Sequence, residues 1–509
     1  MAERPYKHAD TVRDLEPIKA AAPVRTPQLT ILSHPDMARV GEVFRLRQRT
    51  VLLSRLEPAF APPGLGDGPH AEPLADQRVS RRPLAITVEA SGGIRLDATA
   101  AGSSVQLDGE PVDPVLQVSP DRLDRGAVLT LGHSVALLLH RTLPPGARSA
   151  RHGLLGDSVA VDALRVEIDR VARLEVPVLL RGESGSGKEL VARALHDASP
   201  RAKGPFVAVN MAAIATTTAT SELFGHIRGA FTGAARDHDG FFARADGGTL
   251  FLDEIGETPS ELQPMLLRVL ETGEVTPVGG ARPRTVNVRV VAASDADLEG
   301  QGFRAPLLHR LSGYVIRVPS LRDRKDDIGR LFHAFLRQEL EAAGLLDRLE
   351  PRTSGKPLVP PALMSVLCAH GWPGNVRELR NVARQLAIAS QDHDQLPIPT
   401  GLAGPPRTIT HRPSAAPAKP RVLTDDEMVE ALEAHHWKPG PTAEALGISR
   451  TTLYALIDRS PRVRKARDLE PQELRAALKA AGGDLDAVAA TLRVSKRGIQ
   501  LRLKELDAD

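Results

Sequence analysis

The pattern of apolar and polar positions changes character along the chain. From Gln28 to about Arg141 the apolar runs are short: Leu29–Leu32, Glu42–Leu46, Thr50–Leu53, Leu84–Val88, Val128–Leu131 and Val135–Leu139. Gly, Pro and Asp turns separate them, which predicts an all-β sandwich or barrel. Residues 58–76 are rich in Pro and Gly and too long for a hairpin turn, so they predict an insertion. From about Leu154, strand-like runs alternate with amphipathic ones. Val178–Arg181, Phe206–Val209, Thr249–Leu252 and Val288–Ala292 predict strands, and Glu189–Asp197 a helix, hence an α/β unit with a parallel sheet. Asp326–Ala389 has helical periodicity throughout and predicts a helical appendage. Residues 400–422 form a Pro-rich linker carrying Arg407, Arg412, Lys419 and Arg421 but no acidic residue. Beyond it lies an internal repeat offset by 46 residues, in which Ala431/Ala477, Leu432/Leu478, Leu446/Leu492 and Ser449/Ser495 are identical.

The predicted order is a loose arm (1–27), a β-sandwich (28–143), an α/β core (151–325), a helical lid (326–395), a linker (396–422) and two all-α units (423–460 and 468–509). The fold class is therefore multidomain. Composition narrows the function. The 509 residues are 42% hydrophobic and 25% charged, as in globular protein. Only 3% are aromatic, which argues against a stacking platform for single-stranded nucleic acid. No apolar run nears the ~18–20 residues of a membrane span, and Met1-Ala2-Glu3-Arg4-Pro5 lacks a signal core, so a cytoplasmic location is expected. Cys368 is the single cysteine, which excludes an intrachain disulfide and a Cys-cluster zinc site. The net charge of +3 means that any nucleic-acid contact must come from local basic clusters.

The strongest chemical signal is Gly182-Glu183-Ser184-Gly185-Ser186-Gly187-Lys188, placed between a predicted strand and a predicted helix. That context makes it a P-loop: the glycines let backbone N–H groups turn around phosphates, and Lys188 supplies a point charge. Glu189 follows where a Ser or Thr usually helps to hold Mg2+, so the metal must rely on a carboxylate and water. Thr249–Leu252 ends in Asp253-Glu254, a Walker B arrangement. Asp253 is placed to hold Mg2+, and Glu254 to polarise an attacking water. ATP and Mg2+ are the expected ligands.

Residues 154–392 resemble the AAA+ domain of sigma-54-dependent bacterial transcription activators. The landmarks are Gly182–Glu189, Ser221–His226, Gly229-Ala230-Phe231-Thr232-Gly233-Ala234, Gly247–Glu257 and Trp372–Leu379. The resemblance implies a homo-oligomeric ring, hexameric in the family, that acts on the sigma-54 RNA polymerase holoenzyme through the Gly229–Ala234 loop. It implies that Arg304 and Arg310 reach a neighbouring subunit's γ-phosphate, that Arg377 contacts phosphate from the lid, and that Asn210 restrains Glu254. Pro306 stands where the family usually has Asp. Ser294-Asp295 sits where Thr-Asn is common, and its role is left open.

The two ends of the chain carry partial resemblances. Residues 28–141 resemble a forkhead-associated (FHA) domain, a phosphothreonine reader, with Arg55, Ser80 and Arg81 as phosphate donors. Ser103 falls at the family's Asn-Gly position. Two readings stay open: a phosphopeptide module, or a structural or regulatory β-domain. The C-terminal repeats resemble Fis-type helix-turn-helix units that bind double-stranded DNA upstream of a promoter. Ser449, Arg450, Thr451, Thr452 and Tyr454 fall on the first recognition helix, and Ser495, Lys496 and Arg497 on the second. The rival readings are a DNA-tethered phosphopeptide adaptor with a vestigial ATPase, and an AAA+ remodeller of another client.

Overall fold

The computed structural model describes residues 25–63, 70–143, 150–232, 234–299, 302–350, 356–399, 401–402, 425–434 and 469–480. Nine single residues between 442 and 499 are also described. The chain divides into two compact units, Met1–Pro406 and Arg407–Asp509.

The first unit opens with two antiparallel sheets. One holds β1 (Thr26–Ser33), β2 (Val43–Arg45), β6 (Val105–Leu107), β7 (Glu110–Pro111), β9 (Ala127–Leu131) and β10 (Val135–Thr142) in the order β2-β1-β10-β9-β6-β7. The other holds β3 (Thr50–Leu53), β4 (Leu84–Val88), β5 (Ile94–Asp97) and β8 (Val115–Val118) in sequence order. Leu29, Ile31, Leu129, Leu137 and Leu139 face Leu53, Ile86 and Leu96 across one aliphatic core. The sandwich starts at Thr26, two residues before the expected boundary. Strands β5 to β8 add to the predicted set; at two to four residues each they are too short to show periodicity. Within the described part of 58–76, Phe60 and Leu74 are fully buried in the sandwich core.

The outer face of the first sheet is apolar as well. Leu32, Val128, Ala136 and Leu138 project from β1, β9 and β10 and join the lid core formed by Ile328, Leu331, Phe332, Leu363, Met364 and Leu367. The lid comprises α8 (Ile328–Ala342), α9 (Pro361–Ala369) and α10 (Asn375–Ala389). Between α9 and α10 the predicted continuous helicity breaks at Trp372, which is fully buried and donates its indole N–H to the Leu367 carbonyl at 2.8 Å. Gly329 lies against β1 so closely that a Cβ there would stand 2.5 Å from the Leu32 carbonyl oxygen.

The central sheet is wholly parallel. It contains β11 (Val178–Arg181), β12 (Phe206–Asn210), β13 (Thr249–Asp253), β16 (Arg289–Ser294) and β17 (Tyr314–Arg317), in the order β12-β13-β16-β11-β17. Helices cover both faces, so β13 and β16 are nearly continuous apolar runs. A two-residue pair, β14 (Glu274–Val275) and β15 (Arg284–Thr285), stands apart from the sheet. In the second unit, one helix spans Asp425–Ala434. The helix Pro471–Ala480 contributes Leu474 to a small core with Leu469, Val488, Leu492, Val494 and Ile499. Ser449, Arg450, Thr451, Thr452, Tyr454, Ser495, Lys496 and Arg497 lie outside the described residues.

Candidate nucleotide site and remodelling loop

β11 runs between β16 and β17, and the loop 182–187 leaves its C-terminal end, where parallel sheets open a crevice. Gly185 and Gly187 take φ of +72° and +105°, a left-handed backbone that glycine adopts at little cost. Helix α3 (Lys188–Asp197) starts directly after the loop. The buried Lys188 ammonium donates to the Gly182 carbonyl at 2.8 Å, which keeps its charge inside the loop.

Strand register brings the carboxylates to the same end. Asn210 pairs with Asp253 across β12 and β13, and Leu252 pairs with Ala292 across β13 and β16. Asp253 Oδ1 accepts from the Glu254 N–H at 3.1 Å. Glu254 itself has φ +52°, a left-handed conformation uncommon for a residue with a side chain and often found where geometry serves chemistry. Partial burial and the adjacent negative Asp295, which also shares a hydrogen bond with it, hold its carboxyl above the usual carboxylate range, against the pull of Lys188. Asn210, the expected restraint on Glu254, accepts from the Ala212 N–H at 2.9 Å through its side-chain oxygen and so caps the turn after β12, as strand-end Asn residues commonly do. Asp295 is the group that sequence reasoning left without a role; its signal was its place at the end of the neighbouring strand.

The donor set suits magnesium. Among the described residues, no three His, Cys, Asp or Glu side chains converge on a point that could hold a metal by protein alone. Asp253, next to Glu254 at the end of β13, matches the way Mg2+ is bound when nucleotide oxygens and water complete its shell.

The lid closes over the loop through Arg377, whose guanidinium lies 3.3 Å from Ser184 Oγ. Arg304 and Arg310 are exposed on and beside α7 (Ala305–Leu311), which carries Pro306 in its first turn. A proline is tolerated there because the N–H it lacks has no helical partner anyway. The Arg310 guanidinium donates twice to the Leu270 carbonyl, at 3.0 and 2.8 Å.

The loop after α4 (Thr216–Phe224) is a braced hairpin. His226 and His238 exchange two backbone hydrogen bonds at 2.9 Å, Arg228 N–H donates to Asp237 Oδ1 at 2.7 Å, and Gly229 N–H donates to the Ala234 carbonyl at 2.8 Å. A second loop supports it from below: Ile227 N–H donates to the Val278 carbonyl at 3.1 Å. Phe231 is 44% exposed at the tip, with its ring edge on His226 at 5.0 Å between centroids. Gly233 lies outside the described residues.

In the sandwich, three turns meet. Arg55 N–H donates to the Ser80 carbonyl at 3.1 Å, and Ser80 N–H donates to Ser103 Oγ at 2.6 Å. Arg81 is exposed beside them. No helix among the described residues is long and apolar enough to cross a membrane.

Comparison with known proteins covers the same territory. Residues 154–317 match the sigma-54 interaction domain and residues 322–398 the AAA+ ATPase lid domain. The anaerobic nitric oxide reductase transcription regulator NorR of Aeromonas hydrophila is 40% identical over 366 residues, which are 66% of this chain and 70% of that protein. The DNA-binding transcriptional regulator NtrC of a Bradyrhizobium species is 41% identical over 359 residues, 70% of this chain and 69% of that one. The crystal structure of Brucella abortus NtrX in complex with ATP is 34% identical, covering 60% of this chain and 68% of that one, with a TM-score of 0.44. The chain spans between 48% and 71% of the length of curated relatives it matches.

Proposed function

Because the chain belongs to the sigma-54-dependent transcriptional regulators and carries their AAA+ P-loop NTPase domain, we propose that it hydrolyses ATP to drive sigma-54 RNA polymerase holoenzyme into the open complex. Loop 182–187 and Lys188 hold the phosphates. Glu254 takes the proton of the attacking water, and its left-handed backbone aims it from the end of β13. Mg2+ held by Asp253 and water would offset charge on the β- and γ-oxygens. Arg304, exposed, and Arg310, exposed and released from the Leu270 carbonyl, reach a neighbouring subunit's phosphate, so the active form is a ring. Arg377 reports the phosphate state to the lid.

One observation carries this reading. The loop with Phe231 at its tip is braced by backbone hydrogen bonds in the same α/β core that holds Lys188, Asp253 and Glu254. A change at the phosphate thus has a rigid route to an exposed aromatic anchor. The sandwich is proposed as a phosphothreonine reader, supported by the convergence of Arg55, Ser80 and Ser103. The C-terminal helices are proposed to hold upstream DNA, which raises the local concentration of the ring near a promoter. The test is open-complex formation on a sigma-54 promoter with purified protein. It should require hydrolysable ATP and fail in Thr232→Ala while ATP turnover persists. Open complexes formed with a non-hydrolysable analogue would overturn the proposal.

A further inference from the structure

Glu183, the second residue of the phosphate loop, faces the lid. Its Oε2 accepts from Arg322 Nη1 at 2.8 Å and from Asn375 Nδ2 at 3.0 Å, and its Oε1 accepts from Arg322 Nη2. These bonds, those from Arg322 first, hold the Glu183 carboxyl below its usual range, so it stays ionised. Asn375 is fully buried with φ +51°, and its amide is used on every side. Nδ2 donates a second time to the Ser184 carbonyl at 3.1 Å, and Oδ1 accepts from the Leu321 N–H at 2.8 Å. One side chain thereby ties together the loop, the connection between core and lid, and the first turn of α10.

The neighbouring contacts extend the grip. Val376 N–H donates to the Gly185 carbonyl at 3.0 Å, and Arg324 Nη2 donates to the Ser186 carbonyl at 3.2 Å. A Cβ on Gly185 would stand 2.3 Å from the Gly374 carbonyl, so the loop and the lid touch backbone to backbone. In a trans peptide the carbonyl of one residue and the N–H of the next point in opposite directions. Holding the Ser184 and Ser186 carbonyls on the lid side therefore turns the Gly185 and Gly187 N–H groups the other way, toward the phosphate cradle. The Ser186 N–H is used inside the loop, on the Glu183 carbonyl at 3.2 Å.

We propose that Asn375, with Glu183 and Arg322, is a latch of positioning residues that orients the phosphate-loop amides and sets the register of Arg377. The inference rests on the reading of 182–188 as an ATP site. None of the three residues is asked to touch the reacting atoms, so their loss should act on nucleotide affinity before turnover.

The test compares full-length wild type, Arg322→Gln, Glu183→Gln and Asn375→Ala by fluorescent ATP and ADP binding and by steady-state ATP turnover, with thermal melts alongside. Arg322 and Glu183 have half-exposed side chains, so their variants should fold. Arg322→Gln is expected to raise the KM for ATP about two- to fivefold, the scale of an exposed pair. Asn375→Ala, which strands buried groups, should raise it about tenfold or more. In Arg322→Gln and Asn375→Ala kcat should change less than twofold. Because Arg322 and Asn375 both act on Glu183, the double variant should lose less than the product of the single effects. Wild-type protein that binds no nucleotide would sink the ATP reading and the latch with it. Wild type that binds, beside Arg322→Gln and Glu183→Gln with unchanged KM and only lowered melting temperatures, would overturn the latch alone.

Discussion

Replacing Leu138 by Ala should weaken the lid, although Leu138 belongs to the sandwich. Its side chain is 1% exposed and sits in the same buried cluster as Phe332, Leu363 and Leu367. It is also packed tightly on its own side, since a Cβ on Gly126 would come within 3.1 Å of Leu138 Cδ1. The space left by the missing methyl groups cannot readily collapse, so a cost of about 3 kcal/mol is expected, inside the range for buried Leu→Ala changes. If sandwich and lid melt as one unit with a urea slope of about 3 kcal/mol/M, the midpoint falls by about 1 M. The reporter is built in. The chain has two tryptophans, and in a Trp437→Phe background the fluorescence comes from Trp372, buried in the lid. Trp437 lies outside the described residues. Urea titration should show the Trp372 transition moving with the far-ultraviolet signal of the β-strands. A Trp372 transition that stays in place while the strands melt early would refute the shared core.

Other outcomes follow from the same geometry. Glu254→Gln should lower ATP turnover by about 10²–10⁴-fold, the usual contribution of a general base, while nucleotide binding by fluorescence is kept. Phe231→Ala should leave the melting temperature and ATP turnover near wild type, because the ring is partly exposed, and should abolish co-sedimentation with sigma-54; retained co-sedimentation would count against the loop assignment. His333 is buried on α8 between lid and sandwich, and burial holds its pKa down to about 4. The unfolded chain, with an ordinary His pKa near ~6.5, takes up this proton first. Stability from keeping His333 neutral is therefore present at neutral pH and is lost as pH falls from ~6.5 toward 4, by up to about 3 kcal/mol. On going from pH 7.5 to pH 5 the urea midpoint of wild type should consequently fall relative to that of His333→Leu, whichever way both move. Asp326 and Asp327, held above the usual range by burial, titrate in the opposite sense and cancel in that comparison.

How much of this was legible beforehand depends on the range of the interaction. The phosphate loop and the Asp253-Glu254 pair are contiguous in sequence, so spacing alone exposed them. Asp295 meets Glu254 only because β13 and β16 are neighbours in a given register, which no local pattern encodes. Asn375 and Glu183 are 192 positions apart, and a lone Asn before a helix is an ordinary cap. The docking of the sandwich on the lid did leave a trace: Val135–Leu139 is an unbroken apolar run, whereas a strand with one wet face alternates. The Phe60 and Leu74 contributions to the core were hidden by the Pro and Gly around them, which suggest a loop whichever side chains they separate.

The contact between Gly329 and Leu32 also limits how the molecule can move. A helix pressed backbone to backbone against a strand cannot glide along it, because the flanking Ile328 and Arg330 would drive their side chains into the space that only glycine leaves free. Rotation about the point of contact would in turn pull Ala136 and Leu138 out of the apolar layer they share with Leu363 and Leu367. The β-rich module is thus seated on the lid as one piece, and a shift of either carries the other with it.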